Sequence, residues 1–408
     1  MIDPEAAPSC TAGVDSTIRG VERTSVEPPG TRRSVTTLPH LARDQASVRI
    51  FVDAAIVKPQ LGGIATYVGE LAGALARQPG VEVCVATSFA SVLDLPDAVD
   101  VIDLPPSVRR FQRRIAWRER KLGALVSAWD ASVVIAPTPE LPLRGMPVPA
   151  IMVVHDVGPL QAPALYGRGR WARFAVGVPL ACRRADHVVC VSIATLVALR
   201  QCVGTFDAPC TVIGEADRVL PARVRSIRVP PYILNVGSML DHKNLSTLVR
   251  AMNASALNDA RLCLAGPLND GERARLDEWR AGVTNPERVT HLGYIDRESL
   301  ADLYAGAAAV ALPSLYEGFG LPMLEAMRAG APVVASSIPA HRELGGDAPI
   351  YVDQPLSVAD WAKALAHVVH DAEANALLSR KARDHVDGIT WDAIGEQMAD
   401  LARVVASA

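Results

Sequence analysis

The sequence lacks any apolar run long enough to cross a bilayer, since a helical span needs about 20 predominantly apolar residues. It also has no Cys-x-x-Cys pair among its seven cysteines, which argues against a structural zinc site or a disulfide framework. Charge of one sign is not in large excess either. The formal net charge of −3 gives no reason to expect a nucleic acid as a partner. These absences favour a globular protein whose thiols are reduced.

Residues 1–45 lack the apolar core of a secretory signal peptide. They are rich in Pro, Ser, Thr, Gly and Arg, which is a composition typical of disordered chains. We therefore expect a disordered N-terminal segment at 1–45 and a cytoplasmic protein. The chain has 408 residues, half of them hydrophobic, which predicts two or three domains with sizeable cores.

Compact apolar stretches alternate with helical patterns from residue 47 onward. Predicted strands form a first series at 47–53, 81–86, 133–135, 151–154 and 187–191, and a second at 232–237, 261–266, 289–293, 309–312 and 332–335. Alternating strands and helices predict an α/β protein with parallel, doubly wound sheets. Between the two series, Pro221, Pro230 and Pro231 interrupt any helix and predict a domain boundary.

Glu317 and Glu325 stand eight residues apart in the most informative stretch of the chain. A predicted strand precedes Glu317, a Gly-rich turn follows it, and a helical pattern begins at Leu321 and stops at Gly330. Unpaired N–H groups and the helix dipole make such a turn an anion site. A site for phosphate alone would not need Glu317, because a carboxylate repels phosphate. The pattern therefore predicts a ligand with both phosphates and hydroxyls, such as a nucleotide sugar.

This stretch, with Pro313-Ser314 before it and the run 325–336 after it, resembles the E-x7-E signature of the GT4 family. These are retaining glycosyltransferases of group 1, and the likeness is to mannosyl- and rhamnosyltransferase-like members. The resemblance extends roughly over residues 48–400. It implies the GT-B fold, in which two Rossmann-like, doubly wound parallel-sheet domains face a cleft. The implied parts are an acceptor domain at 46–222, a nucleotide-sugar donor domain at 223–388, and a C-terminal helix at 389–408 that crosses back to the first domain.

The resemblance implies roles for residues that follow strands of the second series. Glu317 would meet hydroxyls of the donor sugar, Glu325 the ribose, and Lys243 the diphosphate. The implied donor-binding set is Gly237, Ser238, Lys243, Gly266, Leu292, Gly293, Tyr294, Glu317, Gly318, Phe319, Gly320, Leu321 and Glu325. Many relatives carry arginine at the position of Ser238. Lys243 is therefore the main side-chain cation expected to stabilise the leaving group.

Loops of the first series are implied to hold the acceptor side of the cleft. The implied catalytic residues are Glu317, Lys243 and His155, and the implied acceptor and phosphate loop residues are Gly62, Gly63, Asp156 and Ser192. His155 resembles a histidine that touches the donor sugar through its ring or its backbone. Two alternatives without a ligand contact stay open: Gly62 and Gly63 would form a simple turn, and His155 would be a structural histidine.

The chain has no Asp-x-Asp motif, which metal-dependent transferases of the GT-A fold generally need to hold a divalent ion on the diphosphate. We therefore predict transfer without a metal and with no cofactor beyond the donor. A different stretch, Arg109–Lys121, carries seven basic residues with apolar ones between them. Three interpretations stay open: a solvated helix that packs its apolar residues inward, a binding site for a phosphorylated acceptor, and peripheral contact with an anionic membrane.

The resemblance, together with these patterns, implies an enzyme that moves a hexose from a nucleotide sugar to an acceptor hydroxyl with retention, in bacterial glycan, glycolipid or natural-product synthesis. GDP-mannose is the favoured donor, with UDP- or dTDP-sugars as alternatives. The acceptor would be a glycan, a lipid-linked glycan or a small molecule. Two other functions are considered: an inactive GT-B partner of another transferase, which Ser238 favours, and a sugar-nucleotide epimerase. The predicted location is cytoplasmic, at the inner face of the membrane if the basic stretch binds lipid.

Overall fold

The computed structural model describes residues 47–58, 62–217 and 220–408. The segment 1–45, predicted to be disordered, lies outside these residues. Within the described part of the chain, no helix combines the length and the apolar character of a membrane-crossing segment.

The first half of the described chain builds a seven-stranded parallel sheet in the order β3-β2-β1-β4-β5-β6-β7. Its strands are β1 Val48–Asp53, β2 Val81–Thr87, β3 Val99–Asp103, β4 Val133–Ala136, β5 Ala150–Val154, β6 His187–Cys190 and β7 Cys210–Val212. Strands β4 and β5 are buried along their whole length. Such continuous apolar strands are typical of parallel sheets covered on both faces.

Helices pack on both faces of this sheet. They are α1 Gly63–Ala76, α2 Phe111–Trp117, α3 Gly123–Ala128, α4 Gly158–Gln161, α5 Pro163–Tyr166, α6 Arg168–Cys182 and α7 Ile193–Val203. Helix α7 begins after Ser192, whose hydroxyl oxygen accepts the N–H of Thr195 at 2.9 Å. This N-cap fixes the chain where it leaves the carboxyl end of β6.

The second half builds a six-stranded parallel sheet in the order β10-β9-β8-β11-β12-β13. Its strands are β8 Tyr232–Val236, β9 Arg261–Ala265, β10 Val289–Gly293, β11 Ala309–Leu312, β12 Val333–Ser336 and β13 Ile350–Val352. Its helices are α8 Leu245–Ala251, α9 Asp270–Ala281, α10 Arg297–Gly306, α11 Leu321–Arg328, α12 Pro339–Gly345, α13 Val358–His370 and α14 Ala372–Val386. Two doubly wound α/β sheets therefore confirm the predicted fold class.

The last helix, α15 Trp391–Ala406, packs against α1 of the first half. Trp391 lies edge-on to Tyr67 with ring centroids 5.7 Å apart, and its indole N–H donates to the carbonyl of Asp217 at 3.0 Å. Gly395 allows the close approach, because a Cβ there would lie 2.8 Å from the Cβ of Ala74. The chain thus returns to the first sheet after completing the second.

Three strands had no counterpart among the predicted ones: β3, β7 and β13. All three are sheet edges. In β3 the exposed Asp100 and Asp103 interrupt the apolar pattern, whereas β7 and β13 are only three residues long. Short or charged edge strands protect a sheet from pairing with other chains, and they also remove the apolar signal by which a strand is recognised.

The basic stretch 109–121 differs from the expected single helix. It comprises the end of a 3₁₀ turn, helix α2 and part of a π-helical turn at Arg118–Leu122. Arg118 is buried against Asp53 with an Nε–Oδ2 distance of 2.5 Å, and Arg114 is buried against Glu140 with an Nε–Oε2 distance of 3.0 Å. Ile115 is 41% exposed instead. The interpretation as a solvated helix does not account for Arg114 and Arg118, because carboxylates of β1 and the β4 loop compensate their buried charges.

Candidate functional site

Glu317 and Lys243 meet in a cavity at the carboxyl ends of β8 and β11. The Lys243 ammonium lies 2.6 Å from Oε1 of Glu317, and the Ser314 hydroxyl donates to the same oxygen at 2.6 Å. The cavity is lined by Asn235, Val236, Gly237, Ser238, Lys243, Leu312, Ser314, Glu317, Gly320, Pro322, Met323 and His341. Ligands of doubly wound sheets bind at this edge, so the cavity is a candidate ligand site.

Glu317 is held in its charged form. Burial alone would raise its pKa, but the charge of Lys243 and the hydrogen bonds from Lys243 and Ser314 outweigh burial and lower the pKa to about 2. Both hydrogen bonds end on Oε1, and Oε2 accepts none from the residues that the structure describes. The site therefore offers one carboxylate oxygen to a hydroxyl group and one ammonium to an anion.

Three glycines end neighbouring strands beside this cavity. Gly237, Gly266 and Gly293 all have positive φ angles, and the N–H of Gly266 donates to the carbonyl of Gly293 at 2.8 Å. A Cβ on Gly266 would collide with the carbonyl oxygen of Gly237, so only glycine fits there. Leu292 is half-buried, whereas the Tyr294 ring is 64% exposed next to the glycines. These residues of the implied donor-binding set thus lie at the ends of three adjacent strands, β8, β9 and β10.

The turn after Glu317 lies against the first domain. A Cβ on Gly318 would collide with the carbonyl oxygen of His155, so the two backbones approach as closely as glycine permits. The carbonyl oxygen of Gly318 accepts hydrogen bonds from Ser192 Oγ at 2.6 Å and from Thr195 Oγ1 at 3.0 Å. The position of the turn therefore depends on both domains.

The next residues of the turn lead into α11. The Phe319 ring packs between the cores of the two domains and would contact a Cβ on Gly214. Gly320 is the N-cap of α11 with a φ of 111°, and Leu321 is the first helical residue. Phe319 thus contributes packing between the domains, while Gly320 lines the cavity.

Glu325 does not line the cavity that holds Glu317. It is buried on α11, where its Oε2 accepts a hydrogen bond from the Tyr304 hydroxyl at 2.8 Å. The structure therefore separates the surroundings of the two glutamates, and the predicted ribose contact of Glu325 stays a prediction.

His155 is anchored within the first domain through both ring nitrogens. Nδ1 lies 2.6 Å from Glu215 Oε1, and Nε2 lies 2.9 Å from the carbonyl oxygen of Pro137. Burial alone would lower the pKa of His155, but Glu215 outweighs it and the pKa is raised. A contact of the ring with a donor sugar would have to displace one of these partners. The predicted sugar contact through the backbone of His155 stays a prediction.

Asp156 faces Glu317 across the cleft. Its Oδ1 accepts the N–H of Gly158 at 2.9 Å. Burial raises the pKa of Asp156, and the neighbouring charge of Glu317 raises it further. A carboxyl with a raised pKa can take up a proton more readily than an ordinary aspartate.

The remaining acceptor-side candidates differ in exposure. Gly62 and Gly63 are exposed at the start of α1 with open space around each. Ser192 is only 3% exposed, and its hydroxyl is already engaged with Gly318 and Thr195. Ser192 thus holds the Glu317 turn in this arrangement, a role that sequence reasoning did not assign to it.

Several residues at the domain contact escaped the sequence analysis. Tyr166 of α5 stacks on His242, the neighbour of Lys243, with ring centroids 5.0 Å apart and an interplanar angle of 15°. Glu343 of α12 accepts the N–H groups of Ile193 and Ala194 at 2.7 and 2.9 Å, at the start of α7. No periodicity or motif signals such pairs, because each joins residues far apart in the chain.

Two family descriptions match most of the chain. The family described as Glycosyl transferases group 1 matches residues 222–385, and that described as Glycosyltransferase Family 4 matches residues 61–215. The two matches fall on the second and first sheets, respectively.

Curated relatives match over part of their length. The O-antigen chain mannosyltransferase RfbU of Salmonella typhimurium is 24% identical over 221 residues, which are 53% of this chain and 60% of that protein. The D-inositol 3-phosphate glycosyltransferase of Salinispora tropica is 31% identical over 209 residues, which are 47% of this chain and 42% of that protein. The chain therefore spans about half the length of these relatives.

Solved structures match almost the whole described chain. Sucrose-phosphate synthase from Thermosynechococcus elongatus has a TM-score of 0.69 at 20% identity, covering 88% of this chain and 99% of that one. WaaG, a glycosyltransferase involved in lipopolysaccharide biosynthesis, has a TM-score of 0.67 at 17% identity, with 87% and 99% covered. HepE of Anabaena, described in complex with UDP and glucose, has a TM-score of 0.65 at 19% identity, with 88% and 99% covered.

At these identities the solved structures establish the fold, which is GT-B. The family matches add the sequence relationship over both sheets. With the E-x7-E turn at the cleft, they place this chain in the GT4 family of group 1 glycosyltransferases.

Proposed function

We propose that the protein transfers a hexosyl group from a nucleotide sugar to an acceptor hydroxyl with retention of the anomeric configuration. The observation that carries this proposal is the Glu317–Lys243 pair at the N-terminus of α11, facing His155 and Asp156 of the other domain. A carboxylate for hydroxyls next to a cation for phosphate suits a ligand that carries both groups.

Each part of the donor has a residue suited to it. Lys243 would hold the diphosphate, and Oε2 of Glu317 would accept a sugar hydroxyl. Backbone N–H groups of the turn 318–321 would bind phosphate and sugar oxygens. The three strand-end glycines and the exposed Tyr294 would hold the nucleoside, because an exposed aromatic ring can stack on a base.

The reaction we propose proceeds on one face of the sugar. The bond from the anomeric carbon to the β-phosphate oxygen breaks, and a bond from the acceptor oxygen to the same carbon forms. The acceptor proton passes to the leaving diphosphate, whose charge Lys243 stabilises. Contacts of both domains with the Glu317 turn would exclude water and favour transfer over hydrolysis.

The donor is proposed to be GDP-mannose, with UDP- and dTDP-sugars as alternatives. Relatives named as O-antigen mannosyltransferases support mannose. The description of HepE with UDP and glucose supports a uridine donor instead. Transfer without a metal stays a prediction, which activity in the presence of a chelator would test.

The acceptor side is proposed to lie at Gly62, Gly63 and Asp156. The proposal names no contact specific to one acceptor, so a glycan, a lipid-linked glycan and a small molecule are all compatible with it. The exposed basic residues of the stretch 109–121 are candidates for a phosphorylated acceptor or an anionic membrane; these are Arg109, Arg110, Arg113, Arg120 and Lys121. The cytoplasmic location stays a prediction. If the basic stretch binds an anionic membrane, the predicted place is the inner face of that membrane.

Donor binding and slow donor hydrolysis test the proposal without a known acceptor. Saturation-transfer NMR against GDP-mannose, UDP-glucose and dTDP-rhamnose, with chelator present, should give one clear binder. Hydrolysis of that donor should first release the sugar in the anomeric form of the donor. Release of the opposite anomer would refute retention, and binding of no donor would refute the transferase proposal.

One observation favours an inactive partner protein as the alternative. Ser238 lines the cavity where many relatives have arginine, so the diphosphate would face one cation fewer. A protein that binds a donor but neither hydrolyses nor transfers it would support this alternative. Release of nucleoside diphosphate only with acceptor present would exclude it, and would exclude an epimerase as well.

A further inference from the structure

His341 lies in the same cavity as Glu317 and Lys243. It sits on α12, directly after β12, and is 1% exposed. Its Nδ1 is 3.0 Å from the carbonyl oxygen of Ser336. A carbonyl oxygen can only accept, so Nδ1 of His341 carries the hydrogen.

This tautomer leaves Nε2 of His341 as a hydrogen-bond acceptor. Burial lowers the pKa of His341, against the opposite effect of Glu317, so the ring stays neutral near pH 7. Among the described residues, none donates a hydrogen bond to Nε2. Because His341 lines the cavity, this nitrogen can accept a hydrogen bond from a ligand that carries a donor.

The ring edge that carries Nε2 lies opposite Gly320, which has no side chain to cover it. Gly320 faces it, and a Cβ there would lie 3.6 Å from Cδ2 and 4.0 Å from Nε2 of His341. The turn that holds Glu317 therefore passes directly over this edge. Glu317 and His341 both line the cavity, so one ligand there can contact both residues.

We propose that Nε2 of His341 accepts a hydrogen bond from a hydroxyl of the donor sugar and so contributes to sugar specificity. This inference rests on the proposed function. Phosphate oxygens at neutral pH have no hydrogen to donate, whereas each sugar hydroxyl can donate one. Oε2 of Glu317 and Nε2 of His341 then form two acceptors for two hydroxyls, with Lys243 beside them for the phosphate.

Two substitutions separate the ligand contact from the structural contact. His341→Asn keeps an N–H near the position of Nδ1 and can still bond to Ser336, but it has no group at the position of Nε2. His341→Gln places an amide near the position of Nε2 and gives up the Ser336 contact. A purely structural histidine would tolerate asparagine better than glutamine, whereas a sugar-binding histidine shows the reverse.

Calorimetric binding of GDP-mannose and of GDP to the full chain tests the proposal. We expect His341→Asn to bind GDP like the wild type and GDP-mannose about tenfold more weakly, the loss of about one hydrogen bond to a neutral group. His341→Gln should keep GDP-mannose affinity within about threefold. Equal loss for GDP and GDP-mannose, or no loss for either, would overturn the proposal. If the wild type binds UDP-glucose instead, UDP and UDP-glucose serve as the probe pair.

An independent measurement avoids the risk that a variant misfolds. In wild-type protein with ¹⁵N-labelled histidine rings, the Nε2 resonance of His341 should shift on addition of the nucleotide sugar and stay in place with the nucleoside diphosphate alone. A resonance that moves equally with both would overturn the proposal. Failure of the wild type to bind any nucleotide sugar would instead refute the proposed function, on which this contact depends.

Discussion

Glu343 is predicted to hold the two domains together beside the Glu317 turn. Its carboxylate, on α12 of the second domain, accepts two backbone N–H groups of α7 in the first domain, at 2.7 and 2.9 Å. The start of a helix carries a partial positive charge, which strengthens both bonds. The same helix supplies Ser192 at its N-cap and Thr195 in its first turn, which bind the carbonyl oxygen of Gly318.

The size of the effect follows from the exposure of Glu343. A hydrogen bond to a charged group contributes about 1.5–3 kcal/mol when buried, and a carboxylate near a helix start about 0.3–1 kcal/mol when exposed. Glu343 is exposed, so we take about 1–2 kcal/mol for both bonds together. Glu343→Ala should therefore lower the ratio of closed to open molecules about 5- to 30-fold.

Fluorescence energy transfer between dyes on the two domains measures that ratio, and turnover measures its consequence. Turnover should fall with the closed population, whereas affinity for the nucleoside diphosphate should change less than about twofold, because we propose that the second domain alone binds it. High salt should weaken the wild-type closure and leave the variant unaffected.

Arg342→Gln is the matched control. Its guanidinium pairs with Asp353 at 3.0 Å and lies over the Tyr351 ring, entirely within the second domain. This neighbouring substitution should leave the closed population and turnover unchanged. A Glu343→Ala variant that closes and turns over like the wild type would refute the reasoning, and so would an Arg342→Gln variant that opens equally.

Three further outcomes are expected. Lys243→Met should lower kcat about 10²- to 10³-fold in a donor-hydrolysis assay, because the leaving diphosphate would lose its proposed cation; retention of more than a tenth of kcat would contradict this. Gly318→Ala should lower turnover by displacing the turn from the carbonyl of His155, and a normal rate would show that this close contact is unimportant. For His242, burial and then Lys243 lower the folded-state pKa from 6.5 to about 4. As pH falls, the unfolded chain therefore takes up this proton first, so stability is unaffected above pH 6.5 and declines from there to about pH 4. Between pH 6.5 and about pH 4, the free energy of unfolding of His242→Phe should therefore fall by about 2–3 kcal/mol less than that of the wild type. Equal decreases for both proteins in chemical denaturation would contradict the assignment.

The second domain could be predicted well because its signals are local. Consecutive residues predict the strand β11, the glycine turn and the helix α11 in that order. Gly320 suits the positive φ of the turn, and Pro322 suits the first helical turn. Lys243 lies in the loop that follows β8, so its place at the end of this strand could also be predicted from the local sequence. That Glu317 and Lys243 meet at 2.6 Å follows from neighbouring parallel strands, whose carboxyl ends share one sheet edge.

Contacts through space could not be predicted in the same way. Arg114 and Arg118 looked like exposed charges of a basic segment, and only the fold brings Asp53 and Glu140 next to them. A sequence pattern reports which face of an element is apolar. It does not report which charged residue from another element will compensate a buried charge.

The same limit explains why the contacts of Ser192 and His341 could not be predicted from the sequence. Ser192 lies 126 residues from Gly318, and its hydroxyl is recognisable only as an N-cap from the sequence. His341 looks like any helical histidine until the carbonyl of Ser336 fixes its tautomer and Gly320 leaves its other nitrogen uncovered. The Glu317 turn is therefore shaped by Lys243 and His341 on the donor side and by Ser192 on the other domain. Because one turn carries both sets of contacts, a movement of one domain relative to the other would also displace the carboxylate of Glu317.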